Sequence, residues 1–271
     1  MEAKAVKELL SNLGVYPDRK RGQTFLVDEH VAEREAIAAN ISPEERVLEI
    51  GPGLGMLTSF LLKYSRNVVA IESDRRLARY LREVFSNRLQ LLQGDALEME
   101  IPSFDLAVGN LPYSTATPMI FRLSSLRMKR GLFMIQKEVA RRIVAPPGTS
   151  EYSRISVMLQ RLYNTKHLFE VGHSHFYPQP EVDSAVIMME RREGVEESVA
   201  FNELVSILFS HRRKTIRAAL KQERLTADVP YAQHRAEELG IKEMEELASL
   251  VFGPGESGER SAESFRRERC R

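Results

Sequence analysis

The residues best suited to hold a small molecule stand at four points: the glycines of VLEIGPGLG (47–55), Glu72 in VVAIE, Asp95 in LLQGDA and Asn110 in LAVGNLPY. Gly51, Gly53 and Gly55 follow a short apolar run, so the backbone can turn tightly there and, lacking Cβ atoms, let a ligand lie against it. Glu72 can accept hydrogen bonds from both hydroxyls of a ribose, and Asp95 is placed to meet an adenine amino group. A glycine loop followed by a ribose-binding acid also serves nicotinamide enzymes, and either acid taken singly could be a helix cap or turn former. The four together, each at the end of a successive apolar run, describe one ligand-binding rim.

The elements that must carry this rim can be read from periodicity. Short apolar runs at 46–50, 67–72, 88–92, 104–108 and 131–135 read as buried strands, with helices at 28–40, 56–64 and 74–85 between them. This alternation predicts an α/β fold: an open, mainly parallel, Rossmann-like sheet covered by helices on both faces. APPGTSEY (145–152) reads as a loop, followed by a helix at 153–162 and strands at 165–171 and 184–190. From 200 to 252 the pattern is wholly helical, which predicts a small all-helical C-terminal domain. The division is therefore an N-terminal helix and basic segment at 1–30, an α/β domain at 31–190, a charged linker at 191–197 and a helical domain at 198–253. The tail at 254–271, rich in Gly, Ser, Glu and Arg, is expected to be disordered.

The ordered blocks resemble those of the ribosomal RNA small-subunit adenine N6,N6-dimethyltransferases over residues 19–253. RKRGQTFL (19–26) is similar to that family's N-terminal cofactor segment, LEIGPGLGMLT to its glycine loop, and GDA and GNLPY follow in order and spacing. EYSRISVMLQ, FYPQPEVDSAV and FSHRRKTIRAAL match its later blocks. The resemblance implies S-adenosylmethionine as methyl donor and no metal. Gln23, Thr24, Leu26 and Gly51 would then lie at the methionine end of the cofactor, Glu72 at its ribose, Asp95 at its adenine, and Asn110 between cofactor and substrate. The family usually carries Asn where this chain has Thr24, so a hydroxyl replaces an amide there.

NLPY (110–113) fits methylation of an adenine amine, whose lone pair is shared with the ring and must be turned toward the methyl group. The side-chain oxygen of Asn110 and the carbonyl of Leu111 can accept the two amine hydrogens; this is catalysis by positioning, without an obligatory strong base. Pro112 restricts the backbone, Tyr113 offers a ring for the base to stack on, and Phe176 is the second aromatic that the resemblance places around it. The implied substrate is two adjacent adenosines near the 3′ end of small-subunit ribosomal RNA, each dimethylated during assembly of the subunit. An adenine methyltransferase for another RNA or DNA, and an assembly factor without catalysis, are the competing readings; a nicotinamide dehydrogenase would have no use for NLPY.

Thirty-nine Lys plus Arg against 38 Asp plus Glu leave a net charge of +1, so any polyanion surface must be local. Basic residues cluster at Arg19, Lys20 and Arg21, and again at Arg127, Lys129, Arg130, Arg141 and Arg142. Arg212, Arg213 and Lys214 make a third group, and all are candidate phosphate contacts. His173 and His175 form H-x-H without a recognisable third ligand and read as structural histidines. Cys270 is the one cysteine, and no segment approaches the roughly 20 apolar residues of a membrane span. The expectation is a cytoplasmic protein, monomeric off the ribosome.

Overall fold

The computed structural model describes residues 3–17, 23–225 and 228–253. Arg19, Lys20, Arg21, Cys270 and the expected tail lie outside these residues.

The chain forms two compact units, Met1–Ala140 with Lys166–Arg191, and Arg141–Thr165 with Arg192–Arg271. The first is built on a seven-stranded sheet in the order β4-β3-β2-β5-β6-β9-β7. Its strands are β2 (Val47–Ile50), β3 (Val68–Glu72), β4 (Gln90–Gln93), β5 (Leu106–Asn110), β6 (Arg130–Gln136), β7 (Tyr163–Val171) and β9 (Ser184–Arg191). The run from β4 to β6 is parallel, and β9 pairs antiparallel with β6. All four residues of β2 and the first four of β5 are buried, as continuous apolar strands covered on both faces must be. β1 (Phe25–Leu26) and β8 (Phe176–Tyr177) make a separate two-stranded ribbon, with Leu26 opposite Phe176.

Helices α1 (Ala3–Asn12), α2 (Glu29–Ala38), α3 (Met56–Tyr64), α4 (Arg75–Phe85) and α5 (Ala116–Ser125) belong to this unit, and α6 (Lys137–Val144) leads out of it. Their starts follow side-chain capping where the sequence allows. The Asp28 carboxylate accepts from the His30 N–H ahead of α2, and Asp74 accepts from the N–H groups of Arg76 and Leu77 ahead of α4. Helix α3 starts from Gly55 instead, in the left-handed region at φ +80°. A Cβ there would lie 2.4 Å from Phe85 of α4, so glycine also permits the close packing of these elements.

The second unit contains α7 (Arg154–Leu162), α8 (Val199–Ser210), α9 (Ile216–Gln222) and α10 (Ile241–Phe252). Ser198 caps α8 and Thr215 caps α9. The contiguous division at 190 and 198 needs correction, because residues 141–165 group with the C-terminal helices. Ala145, Tyr152 and Val157 share one core with Phe201, Leu204, Leu208, Leu220 and Leu247. Hydrogen bonds within the unit reinforce that grouping: Gln160 donates to the carbonyls of Ile143 and Ala145, and Arg161 pairs with Glu245 at 2.9 Å. Among the described residues, no helix is long and apolar enough to cross a membrane.

Candidate active site

Strand order runs outward in opposite directions from β2 and β5, which opens a crevice at their C-terminal ends. Gly51 leaves β2 at φ +68°, donates its N–H to the Ile71 carbonyl at 3.0 Å, and would carry a Cβ with no atom within 4 Å. The loop therefore presents bare backbone to an open face, as close approach of a ligand requires.

Behind the loop, Glu72 is 4% exposed. Its Oε2 accepts from Gly53 N–H at 3.1 Å and its Oε1 from Asp74 N–H at 2.9 Å. Burial raises its pKa, against the lowering effect of those two N–H groups. These N–H groups, with that of Ser73, do not exhaust the roughly four lone-pair sites of the two oxygens, so the carboxylate retains acceptor capacity for a ribose hydroxyl.

Two further carboxyls lie deeper. Glu49, at the end of β2, accepts from Thr58 Oγ1 at 2.7 Å and is pushed up to about 8, first by burial and then by the charge of Glu72, with the Thr58 bond opposing. Glu35, on α2, accepts from Asn110 Nδ2 at 3.3 Å and is also pushed up to about 8, mainly by burial, the Asn110 bond opposing and Glu49 adding to the rise. Sequence reasoning passed over both as functional residues. Glu35 had a detectable signal: with Ala32 and Ala36 it occupies the buried face of α2, a position where a carboxyl calls for an explanation.

Two hollows meet at Asn110. The larger is lined by Thr24, Leu26, Glu49, Gly51, Met56 and Asn110, among others. The smaller is lined by Thr24, Asn110, Leu111, Pro112, Tyr113, Met134, Phe176 and Ser184. Asn110 and Thr24 are common to both. Leu111 is fixed by its N–H to the Met134 carbonyl at 3.0 Å. The Tyr113 hydroxyl lies 2.8 Å from Ser184 Oγ, which fixes the ring, and burial raises its pKa. Phe176 reaches the hollow from the ribbon, which is further tied by Val27 N–H to the His175 carbonyl and by His175 Nδ1 to Asp28 at 2.8 Å. His173 contacts Asp183 at 3.0 Å in the same way.

Gln23, Glu72 and Asp95 line neither hollow. Gln23 directly precedes Thr24 and β1. Asp95 is exposed just beyond β4, and its Oδ1 accepts from the Leu97 N–H at 2.8 Å. Arg122 steadies this segment by donating to the carbonyls of Ala96 and Met99. Met134 and Ser184 were missed in the sequence, since neither residue type signals a site on its own.

The basic candidates divide. Arg130 is a brace: it binds Glu45 at 2.6 Å and the carbonyls of Ala39 and Asn40, so its guanidinium is committed internally. Lys129 pairs with Asp105 while remaining 70% exposed, and Arg212 engages Glu237 and the Ser150 carbonyl. Helix α4 adds a set not singled out in the sequence, Arg75, Arg79 and Arg82, exposed and spaced to share one face.

A crevice at this switch point, with bare glycine backbone on one side and an NLPY amide on the other, is the construction of S-adenosylmethionine-dependent methyltransferases of the Rossmann-like α/β class. Comparison with known proteins narrows the class. Residues 18–250 match the family pattern described as "Ribosomal RNA adenine dimethylase". A "Probable ribosomal RNA small subunit methyltransferase A" from Thermococcus onnurineus is 37% identical, covering 90% of this chain and 95% of the relative. "Ribosomal RNA small subunit methyltransferase A" from Thermotoga neapolitana is 35% identical, with the same two coverages. Among solved structures, a dimethyladenosine transferase from Plasmodium falciparum superposes with a TM-score of 0.75 at 27% identity, covering 82% of this chain and 95% of that one. The 23S rRNA methyltransferase ErmE does so with a TM-score of 0.67 at 27% identity, covering 84% and 99%. The chain belongs to the ribosomal RNA adenine dimethylase family and is a ribosomal RNA adenine dimethyltransferase.

Proposed function

We propose that the protein dimethylates, at N6, two adjacent adenosines near the 3′ end of small-subunit ribosomal RNA, acting on an assembling small subunit in the cytoplasm as a monomer. The observation that carries the site assignment is Asn110: it stands where the two hollows meet, its Nδ2 is engaged by Glu35, and its buried Oδ1 has no partner among the described residues. A buried acceptor left open at a crevice is suited to a ligand's N–H. The relatives' names favour the small subunit as substrate.

The residues present fit S-adenosylmethionine. Gly51 offers an uncovered backbone, Glu72 retains acceptor capacity for a ribose, Asp95 supplies an exposed carboxylate for an adenine amine, and Gln23, Thr24 and Leu26 flank the methionine end. When bound, the cofactor supplies a sulfonium methyl group that needs no further activation. The protein's part is to present the nucleophile. Asn110 Oδ1 and the Leu111 carbonyl accept the amine hydrogens and turn the nitrogen lone pair toward the larger hollow; the nitrogen, positive once methylated, then releases a proton to water. Tyr113 and Phe176 hold the base, which must leave its stack at a cost of a few kcal/mol. Exposed cations such as Arg213 and the arginines of α4 offset that cost through phosphate contacts.

The test supplies labelled S-adenosylmethionine to unmethylated small subunits and, separately, to large subunits, then maps modified nucleotides by mass spectrometry. Dimethyladenosine at two adjacent positions near the small-subunit RNA 3′ end is expected. Labelling confined to large-subunit RNA, or binding without labelling, overturns the proposal.

A further inference from the structure

We propose that Glu35 is a positioning residue for methyl transfer: it holds the Asn110 amide with its nitrogen turned inward, leaving the oxygen for the target amine. This rests on the reading above that Asn110 Oδ1 receives that amine.

Glu35 is fully buried on α2, and among the described residues its carboxyl accepts one hydrogen bond, from Asn110 Nδ2 at 3.3 Å. Among the described residues its Oε1 has no hydrogen-bond partner, so within them no second donor compensates the carboxyl. Of the four buried side-chain polar atoms without partners among the described residues, two belong to this single pair, Glu35 Oε1 and Asn110 Oδ1. A carboxyl buried on one long hydrogen bond stabilises a fold poorly, because the desolvation cost exceeds what that bond returns. A role in the fold alone therefore accounts badly for it. Its contact with the amide between the two hollows accounts for it better.

The physical need is specific. An Asn side chain has two ends of nearly equal size, one donating and one accepting, and a half-turn about its last torsion exchanges them. With the nitrogen toward the base, a donor would face the donating adenine amine and the lone pair could not be oriented. An acceptor behind Asn110 disfavours that alternative, because the flipped amide would set its oxygen against the unprotonated Glu35 Oε2. The preference holds for the ionised carboxylate and for the acid with its proton on Oε1, whereas a proton on Oε2 would favour the flipped amide. Apolar packing could not make this distinction, since both amide orientations have the same shape.

The test is a double-mutant cycle in the subunit methylation assay, using Glu35→Met, Asn110→Ala and the pair together. Glu35→Met is expected to lower kcat about 10- to 30-fold with KM for cofactor and RNA within about threefold, and to leave Tm equal or higher because a buried carboxyl is gone. Glu35→Gln, whose amide oxygen can accept the same hydrogen bond, is expected to recover kcat to within about threefold of wild type. In the Asn110→Ala background, Glu35→Met should have no further effect. Wild-type kcat in Glu35→Met, or an equal loss in both backgrounds, overturns the inference; the second outcome also covers a variant that is merely misfolded. If Asn110→Ala itself keeps wild-type kcat, the assignment of Asn110 fails first and the inference with it.

Discussion

Glu49 makes the folded state sensitive to pH in a direction opposite to that of most carboxylates. An acid that holds its proton more tightly folded than unfolded contributes fully below its unfolded pKa, near 4.5, and loses that contribution as pH rises through its folded pKa, about 8 here. Between those limits the native state binds more protons than the unfolded chain, and one such group lowers stability by at most about 1.4 kcal/mol per pH unit. From pH 5 to pH 7 that is at most about 2.7 kcal/mol, and the coupling of Glu49 to Glu35 and Glu72 spreads the loss over the group. Carboxylates held low, such as Asp105 beside Arg46 and Lys129, have already reached their full contribution above pH 5 and do not mask the effect. Urea unfolding of wild type and Glu49→Gln at half-unit steps from pH 5 to 8 isolates it, because histidine titrations cancel in the difference. Glu49→Gln keeps an oxygen for Thr58 and should show a visibly shallower decline. Slopes agreeing within about 0.3 kcal/mol per pH unit would refute the reasoning, since a group shifted this far must dominate the difference.

Two further outcomes follow from the loop geometry. Gly55→Ala should cost about 2 to 4 kcal/mol in urea unfolding, combining a left-handed φ of +80° with a Cβ 2.4 Å from Phe85; a cost below about 1 kcal/mol would mean that α4 yields freely. Glu72→Gln leaves one acceptor oxygen for two N–H groups, Gly53 and Asp74, so one meets a donor; calorimetry should show cofactor affinity weakened about tenfold or more, and unchanged affinity would remove Glu72 from the site.

The strands were legible because a parallel sheet buried on both faces leaves unbroken apolar runs. β2 and β3 fall within a residue of their sequence-read limits, and α3 coincides with the expected helix. Asn110 to Tyr113 could be marked in advance because the NLPY sequence suits an adenine amine, Phe176 because the resemblance placed an aromatic there, and the structure brings all five to one hollow. What stayed hidden depends on separation in sequence. Arg130 looks like a phosphate ligand until Glu45, 85 residues earlier, is found beside it. Glu35 lies 75 residues from Asn110, and helical periodicity marks its face as buried without saying what waits there. Tyr152 and Val157 are apolar in any reading, but hydrophobicity does not say which of two cores will receive them.

The split origin of the helical unit has a consequence for synthesis. Residues 145–157 leave the ribosome well before Phe201, Leu208 and Leu247, with which they share a core. The sheet can pair β2 through β6 from chain already made, whereas Tyr152 and Val157 must wait for the C-terminal helices. A chain stopped at Arg191 would carry those side chains with no core to enter, exposing an adhesive apolar segment inside an otherwise finished domain. Nascent or truncated forms should therefore depend on chaperones at this segment, and an isolated catalytic half requires its loop to be rebuilt as well as its tail removed.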